Sequence, residues 1–297
     1  MRIEDIVNIT DGELVNEGYI KDILAFSDEV KKVKREYLFI SNDIEDIQEA
    51  IKKGAYAILF SKNLEIIDDE IAWIKVEDIN ESFLKLLKYK LLDKTLYYTD
   101  EITLQIISSI NRDKRLAVID KVNFEYLNDD YIYITSQEKV KNIALQKKEI
   151  KKEISIIPFH TTPFITEINF NNQKYSLIFP VLYLENLEVA LSFFEKLDLA
   201  YYLKDIKIDR FIPQFINSRY EKVPFGRTER VVIYGIKKDK YFIGELNYIF
   251  ERLKYGNVKF YDETNIENFY TDNFNFAVLI DICVELKEKE IQENSLF

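Results

Sequence analysis

The sequence contains little cysteine, histidine, glycine or proline. Among its 297 residues are one cysteine, one histidine, 7 glycines and 5 prolines. The single cysteine, Cys283, excludes an intrachain disulfide and any metal site built on several thiolates. The single histidine, His160, lies between two prolines in IPFHTTP (residues 157–163), which favours a turn or an edge strand. Serine or cysteine hydrolase chemistry would have to use this one residue.

The sequence also lacks a membrane-spanning run and an excess of basic residues. No stretch approaches the roughly 20 apolar residues that cross a bilayer, and the first residues do not resemble a signal peptide. With 52 acidic and 41 basic residues the formal charge is -11, which disfavours nucleic-acid binding because phosphates attract clustered Lys and Arg. A hydrophobic content of 47% is sufficient for two or three buried cores. We therefore expect a folded cytoplasmic protein with no membrane insertion and no nucleic-acid partner.

The apolar pattern predicts alternating strands and helices in the first part of the chain. Residues 37–41 form an apolar run, and apolar positions then recur at helical spacing up to residue 51, with Asn42 or Asp43 placed to cap the helix. Gly54 is placed to end that helix in the left-handed conformation, before a second apolar run. This is a βαβ unit, and it predicts the α/β class.

Later segments continue this pattern with interruptions. A strand, a turn at Asp100 and Glu101, and a helix follow from residue 95. The lysine-rich residues 139–152 are interpreted as a solvated helix or linker. The pattern of residues 164–179 predicts a β-hairpin. Residues 210–220 are predicted to be irregular, because Pro213 interrupts them. A final α/β stretch begins at residue 231 and includes a strand that ends near Asp281.

One early passage resembles the amino-terminal, uridine-nucleotide-binding domain of the Mur ligases MurF and MurE. The matching stretches are EVKKVKREYLF (residues 29–39) and AIKKGA (residues 50–55). The family pattern is D-S-R-x-V-x-P-G-D-L-F, followed later by A-x-x-x-G-A. Its Ser-Arg pair falls on Val30 and Lys31, and its Gly-His loop is shortened to residues 41–43. The resemblance therefore implies the fold of the domain without the groups that hold the nucleotide.

The phosphate loop of the family has no counterpart. A Mur ligase carries T-G-[ST]-x-G-K-[ST]-[ST] between a strand and a helix, where this sequence has YYTDEIT (residues 97–103). Glycines let backbone N–H groups surround phosphate oxygens, the lysine neutralises charge, and a hydroxyl binds Mg²⁺. Asp100 and Glu101 would repel phosphates. We predict that the protein does not use ATP, and we expect no cofactor.

Two further stretches continue the resemblance in order along the chain. FPVLYLENLEVA (residues 179–190) resembles L-P-G-x-H-N-x-x-N-x-x-A and retains Asn186 and Ala190. FIP (residues 211–213) and SRYE (residues 218–221) resemble F-x-P-x-x-G-R-x-E, whose arginine corresponds to Arg219. The resemblance implies a reduced three-part Mur-ligase-like architecture of small α/β domains, at residues 1–92, 93–209 and 210–297.

The resemblance identifies four residues as vestiges of a ligand cleft: Lys31, Thr99, Asn186 and Arg219. No catalytic, cofactor-binding or metal-binding residue is predicted. We expect an inactive Mur-ligase homologue with a binding or regulatory role in peptidoglycan precursor synthesis or cell shape, and with a protein partner in cell-wall synthesis.

Two alternatives stay open. One is an ATP-independent enzyme or ligand-binding protein that uses a remodelled cleft between domains for a UDP-sugar or muropeptide. Carboxylates near strand ends, such as Asp100, Glu101 and Asp281, would then lie where α/β proteins place ligands. The other is a structural or assembly protein with no small ligand.

Overall fold

Mixed sheets and helices form two compact units of the chain. The computed structural model describes residues 1–288. Unit 1 comprises Met1–Leu104 and Asp113–Ile150, and unit 2 comprises Gln105–Arg112 and the chain from Lys151 onward. The predicted α/β class is confirmed. The three-part division at residues 1–92, 93–209 and 210–297 stays a prediction.

Unit 1 contains a mixed sheet and a parallel sheet. The first has the strand order β1-β5-β4-β3-β2, with β1 antiparallel to β5 and the other neighbours parallel. The second has the order β7-β8-β6-β9 and is parallel throughout. The elements are α1 (Ile3–Thr10), β1 (Glu13–Asn16), β2 (Ala25–Ser27), β3 (Tyr37–Ile40), α2 (Ile44–Lys52), β4 (Ala57–Phe60), β5 (Ala72–Lys75), α3 (Ile79–Lys90), β6 (Thr95–Tyr98), α4 (Glu101–Ile110), β7 (Leu116–Ile119), β8 (Ile132–Thr135), α5 (Glu138–Ile143) and β9 (Gln146–Glu149). Only the first turn of α4 belongs to unit 1, because its residues from Gln105 onward belong to unit 2.

The ends of α2 follow the local signals in the sequence. The Asp43 carboxylate accepts the N–H groups of Glu45 and Asp46 at 2.9 and 3.1 Å, so of the two predicted candidates, Asn42 and Asp43, it is Asp43 that caps the helix. Gly54 follows the helix with a φ of +93°, which a residue without a Cβ adopts at little cost.

The central strands of the first sheet are buried on both faces. Leu38 and Leu59 face one apolar cluster, which also contains Phe83 of α3, whereas Phe39 and Trp73 face another, which also contains apolar residues of α2. Successive side chains of a strand point to opposite faces, so two clusters form from one apolar run.

Unit 2 contains an antiparallel sheet and a mainly parallel sheet. The first has the order β10-β11-β12, and the second has the order β13-β14-β16-β15, in which only β13 is antiparallel to its neighbour. The elements are β10 (Pro158–Thr161), β11 (Thr166–Phe170), β12 (Gln173–Leu177), α6 (Leu184–Lys196), β13 (Ile212–Phe215), β14 (Val231–Ile236), α7 (Phe242–Arg252), β15 (Val258–Tyr261) and β16 (Phe276–Ile280).

The predicted hairpin is confirmed in β11 and β12. Asn171 and Asn172 both have positive φ, at 46° and 61°, as a two-residue type I′ turn requires. His160 is exposed on β10, an edge strand of the same sheet, as its proline-flanked position predicts.

Two strand assignments differ from the sequence prediction. Residues 146–149, predicted as helix or linker, form β9, all four of whose side chains are exposed. Residues 212–215, predicted as irregular, form β13, which contains Pro213. Both are edge strands held by backbone pairing to one neighbour, so neither needs an apolar alternation. Within residues 1–288 no helix is long and apolar enough to cross a membrane.

Candidate functional site

The start of α4 lies at the carboxyl ends of the parallel strands of unit 1. Only Thr99 and Asp100 separate β6 from α4. The Asp100 carboxylate accepts the backbone N–H of Thr103 at 3.1 Å and its hydroxyl at 2.5 Å. Asp100 therefore caps the helix with its own negative charge at the end where the helix dipole is positive.

Neighbouring strand ends at this edge of the sheet are joined by internal hydrogen bonds. The Thr99 N–H donates to the Thr135 carbonyl at 3.1 Å. The buried Thr135 hydroxyl donates to Ile119 O at 2.8 Å and accepts the Gln137 N–H at 3.0 Å. The Gln137 amide also donates to Asp120 O. These hydrogen bonds join the ends of β6, β7 and β8 to one another.

The four predicted cleft residues are distributed over both units. Lys31 is exposed in a 3₁₀ helix, Val30–Lys32, and Thr99 follows β6, both in unit 1. In unit 2, Asn186 is half-buried in α6, and Arg219 is exposed in the loop after β13, where its N–H donates to Asn217 Oδ1 at 2.9 Å. Each lies on a different element, and their role in a ligand cleft stays a prediction.

A groove in unit 2 is large enough for a ligand. It has a volume of about 850 Å³ and is bounded by residues 174–180 on one side and by residues between 204 and 213 on the other. Its lining is mainly apolar and also includes Lys174, Lys204 and Lys207, all of which are exposed. An apolar groove with a few charged groups is the usual form of a binding site.

Arg210 lines this groove and belongs to a buried cluster of polar side chains. Its side chain is 2% exposed and makes paired hydrogen bonds to the carboxylate of Glu245, at 2.7 and 2.8 Å, and to that of Asp239, at 2.6 and 3.0 Å. The Tyr183 hydroxyl also donates to Glu245, and the Tyr241 ring lies 4.9 Å from the guanidinium carbon. Paired bonds of this kind fix both position and orientation.

The cluster shifts the pKa values of its members through burial and charge. Burial opposes ionisation of Asp239, but hydrogen bonds from Arg210 and the Tyr241 N–H outweigh it and hold the pKa of that carboxyl below its usual value. Burial, and then the charge of Glu245, raise the pKa of the Tyr183 hydroxyl. The phenol of Tyr183 therefore stays protonated at neutral pH and acts as a donor.

Gly235 lets two segments approach closely beside this cluster. Its φ is +79°, and a Cβ at this position would lie 2.2 Å from Asp209 O and 2.9 Å from Arg210 Cα. The Asp209 carboxylate pairs with Lys237 at 2.9 Å, just beyond the end of β14. Only glycine fits this contact, and the contact sets the position of the Arg210 backbone.

Several solved structures that match this chain are Mur ligases. The MurF ligase of Thermotoga maritima in complex with ADP is 12% identical, with a TM-score of 0.49 over 88% of this chain and 95% of that chain. A UDP-N-acetylmuramoylalanyl-D-glutamyl-2,6-diaminopimelate–D-alanyl-D-alanyl ligase of Acinetobacter baumannii is 9% identical, with a TM-score of 0.47 over 94% of each chain. A MurF structure from Acinetobacter baumannii is 10% identical, with a TM-score of 0.46 over 88% of this chain and 78% of that chain.

These identities and TM-scores are too low to assign the chain to the Mur ligase family. No family model matches the sequence, and no curated protein matches it.

Sequence reasoning missed the residues of the groove and of the buried cluster. The buried arginine of this region is Arg210, whereas Arg219, which the motif resemblance selects, is exposed. One signal was available: Glu245 shares the apolar face of α7 with Tyr248 and Ile249. A carboxylate on such a face requires a partner, because an unpaired buried charge is costly.

Proposed function

We propose that this protein is a Mur-ligase-like binding protein that does not use ATP and acts in peptidoglycan precursor synthesis or cell shape. The observation that carries the proposal is the closed start of α4, where Asp100 bonds to both donors of Thr103. The proposed location is the cytoplasm, and the proposed partner is a protein of cell-wall synthesis.

The start of α4 supports the absence of ATP chemistry on physical grounds. A phosphate bound at a helix N-terminus accepts free backbone N–H groups and is attracted by the positive end of the helix dipole. Here the Thr103 N–H already donates to Asp100, and the two residues between β6 and α4 include no glycine. A phosphate would have to displace a carboxylate that is covalently part of the chain, and it would lie beside the charges of Asp100 and Glu101.

The link to peptidoglycan precursors is supported by the order of the sequence resemblances. Residues 29–39, 50–55, 179–190 and 211–221 resemble Mur ligase passages in the same order as in that family. The chemical groups of those passages are replaced while their surroundings remain, which is typical of a scaffold that has changed its function.

A second candidate function is the binding of a UDP-sugar or muropeptide without ATP. The groove of about 850 Å³ in unit 2 favours it, because Lys174, Lys204 and Lys207 border an apolar lining. A ligand with an anionic and an apolar part matches both features.

Titration calorimetry with Mg²⁺-ATP and a ligation assay test the first proposal. We expect no heat of binding at millimolar ATP and no ADP release with a UDP-muramoyl peptide and a D-amino-acid dipeptide. The Asp100→Ser variant keeps a capping oxygen and removes the charge, so it separates electrostatic exclusion from the missing loop. A MurF ligase serves as positive control. Formation of a ligated product by the wild-type protein would contradict the proposal.

A thermal-shift screen of UDP-sugars and muropeptides tests the second candidate, because a ligand that binds only the folded state raises the melting temperature. The Lys204→Gln, Lys207→Gln double variant is the control. A shift that persists in this variant would place the ligand outside the groove.

A further inference from the structure

The groove in unit 2 is bordered by the edge strand β12, which contacts the turn Leu203–Asp205 of the opposite wall but pairs with no strand on that side within residues 1–288. In a hairpin with a two-residue turn, the two residues that flank the turn, here Phe170 and Gln173, exchange backbone hydrogen bonds. Along the two strands, hydrogen-bonded residue pairs then alternate with pairs that are not hydrogen-bonded. Tyr175 is thus bonded to β11, whereas the N–H and C=O groups of Lys174 and Ser176 point away from it. Both residues line the groove, and β12 has no second neighbour among the strands of residues 1–288.

The opposite wall of the groove does not present an equivalent edge. The Ile216 N–H donates to Arg230 O at 3.1 Å, so the backbone groups of Ile216 face β14. Successive residues of an antiparallel strand face alternately toward and away from their neighbour, so the backbone of Pro213, three residues earlier, faces away from β14. Proline has no N–H. An edge strand in which the proline nitrogen points to the free side therefore lacks a donor there and is protected from pairing with a further strand. An added strand would therefore bond to β12 and contact side chains of the other wall.

The charges around the groove select an acidic occupant. Lys174, Lys204 and Lys207 have no carboxylate within ion-pair distance among residues 1–288. Two nearby acidic residues are paired elsewhere, Asp205 with Arg112 and Asp209 with Lys237. A third, Glu167 of β11, lies opposite Ser176 on the inner side of β12. The chain as a whole has a formal charge of -11. A partner that carries negative charge is attracted to these three lysines.

Exposed apolar side chains complete the groove. Ile178 is 59% exposed, Ile212 is 43% exposed and Phe225 is 37% exposed, and all three line it. An added strand places alternate side chains on the two sides of a sheet, so acidic residues can meet the lysines while apolar residues cover these three.

We propose that the groove binds an acidic segment of a partner protein in extended conformation, added to β12 as a fourth strand of the sheet β10-β11-β12. The inference rests on the binding role proposed above and names the class of partner. It concerns unit 2 alone, so the ATP measurements at α4 and the peptide measurements at β12 can fail separately.

Fluorescence anisotropy of the full-length protein with labelled octapeptides tests the proposal. The probe alternates Glu and Val, a second peptide alternates Lys and Val, and a third is the Glu-Val peptide with alternate backbone nitrogens methylated. We expect only the first to bind, with affinity falling as salt rises from about 50 to 500 mM because surface charges are screened. Equal binding of the acidic and basic peptides, or no binding of the acidic one, would overturn the proposal.

Two variants locate the site. Ser176→Pro removes one outward N–H without changing the bonds to β11 and is expected to weaken binding about tenfold. Lys204→Gln with Lys207→Gln is expected to weaken it several-fold, whereas Lys147→Gln with Lys148→Gln makes the same charge change on β9 and is expected to have no effect. An effect of the β9 pair alone would overturn the proposal.

Two measurements distinguish an added strand from a peptide held by side chains alone and from a second copy of the chain. If Ser176→Pro lowers the melting temperature too far for binding studies, the methylated peptide still tests the backbone pairing: binding as tight as that of the unmethylated peptide would contradict it. Light scattering gives the mass in solution. A dimer that Ser176→Pro dissociates would identify a second copy of this chain as the occupant and would overturn the proposal.

Discussion

Arg210 neutralises two carboxylates at one point in unit 2, where Glu245 is fully buried. We expect Arg210→Met to lower the free energy of unfolding by about 3–5 kcal/mol, because it leaves a buried charge without its partner. Urea denaturation measures this change. The control is Arg112→Met, which breaks an exposed pair with Asp205 and is expected to cost less than about 1 kcal/mol. Equal effects of the two substitutions would show that the buried cluster contributes no more than a surface pair.

The Asp239 carboxylate predicts an acid-sensitive contribution to stability. Its folded-state pKa lies below the ordinary value of 3.8, chiefly because hydrogen bonds from Arg210 outweigh the effect of burial. The stabilisation is therefore fully present above pH 3.8 and is lost as the pH falls through the lower folded-state pKa. We expect the urea midpoint to fall between about pH 5 and pH 2, and to fall less in Asp239→Asn. Identical pH profiles of the two proteins would refute this assignment.

At the scale of elements, β14 and α7 offer a matched pair of glycines. Gly235→Ala places a Cβ 2.2 Å from Asp209 O at a φ of +79°, and we expect it to destabilise by about 1–3 kcal/mol or more. Gly244→Ala meets no atom within 4 Å in α7, and we expect it to stabilise by about 0.5–1 kcal/mol. Thermal unfolding of the two variants compares them. Changes of the same sign would contradict the roles assigned to the two glycines.

At the scale of the whole molecule, unit 2 includes a segment from an earlier part of the chain. Gln105 Oε1 accepts the Asp209 N–H at 2.9 Å, and Ser109 Oγ accepts the Lys207 N–H at 3.1 Å. A fragment of residues 151–297 lacks both acceptors, and we expect faster amide exchange at residues 200–209 than in the full-length protein. Hydrogen exchange with mass spectrometry measures this. Equal protection in both would show that Gln105–Arg112 is dispensable for unit 2.

Local sequence determined much of the secondary structure. Asp43 at the start of α2, Gly54 after its end, and the two asparagines of the β11–β12 turn act on backbone groups within about four residues, so their effect is readable from the sequence. The apolar runs of β3 and β4 likewise predicted buried strands. β9 and β13 were missed because an edge strand is held by pairing to one distant neighbour and needs no pattern of its own.

The candidate site was decided by tertiary structure. Arg210 and Glu245 are 35 residues apart, and Lys174 and Lys207 come to border one groove only because separate sheets and the segment between them meet in unit 2. The sequence by itself determined the α/β class, the charge and the lack of a glycine-rich phosphate loop. Which strand edge stays open, and which lysines surround it, depends on pairing between distant segments, and such pairing leaves no periodic signal along the chain.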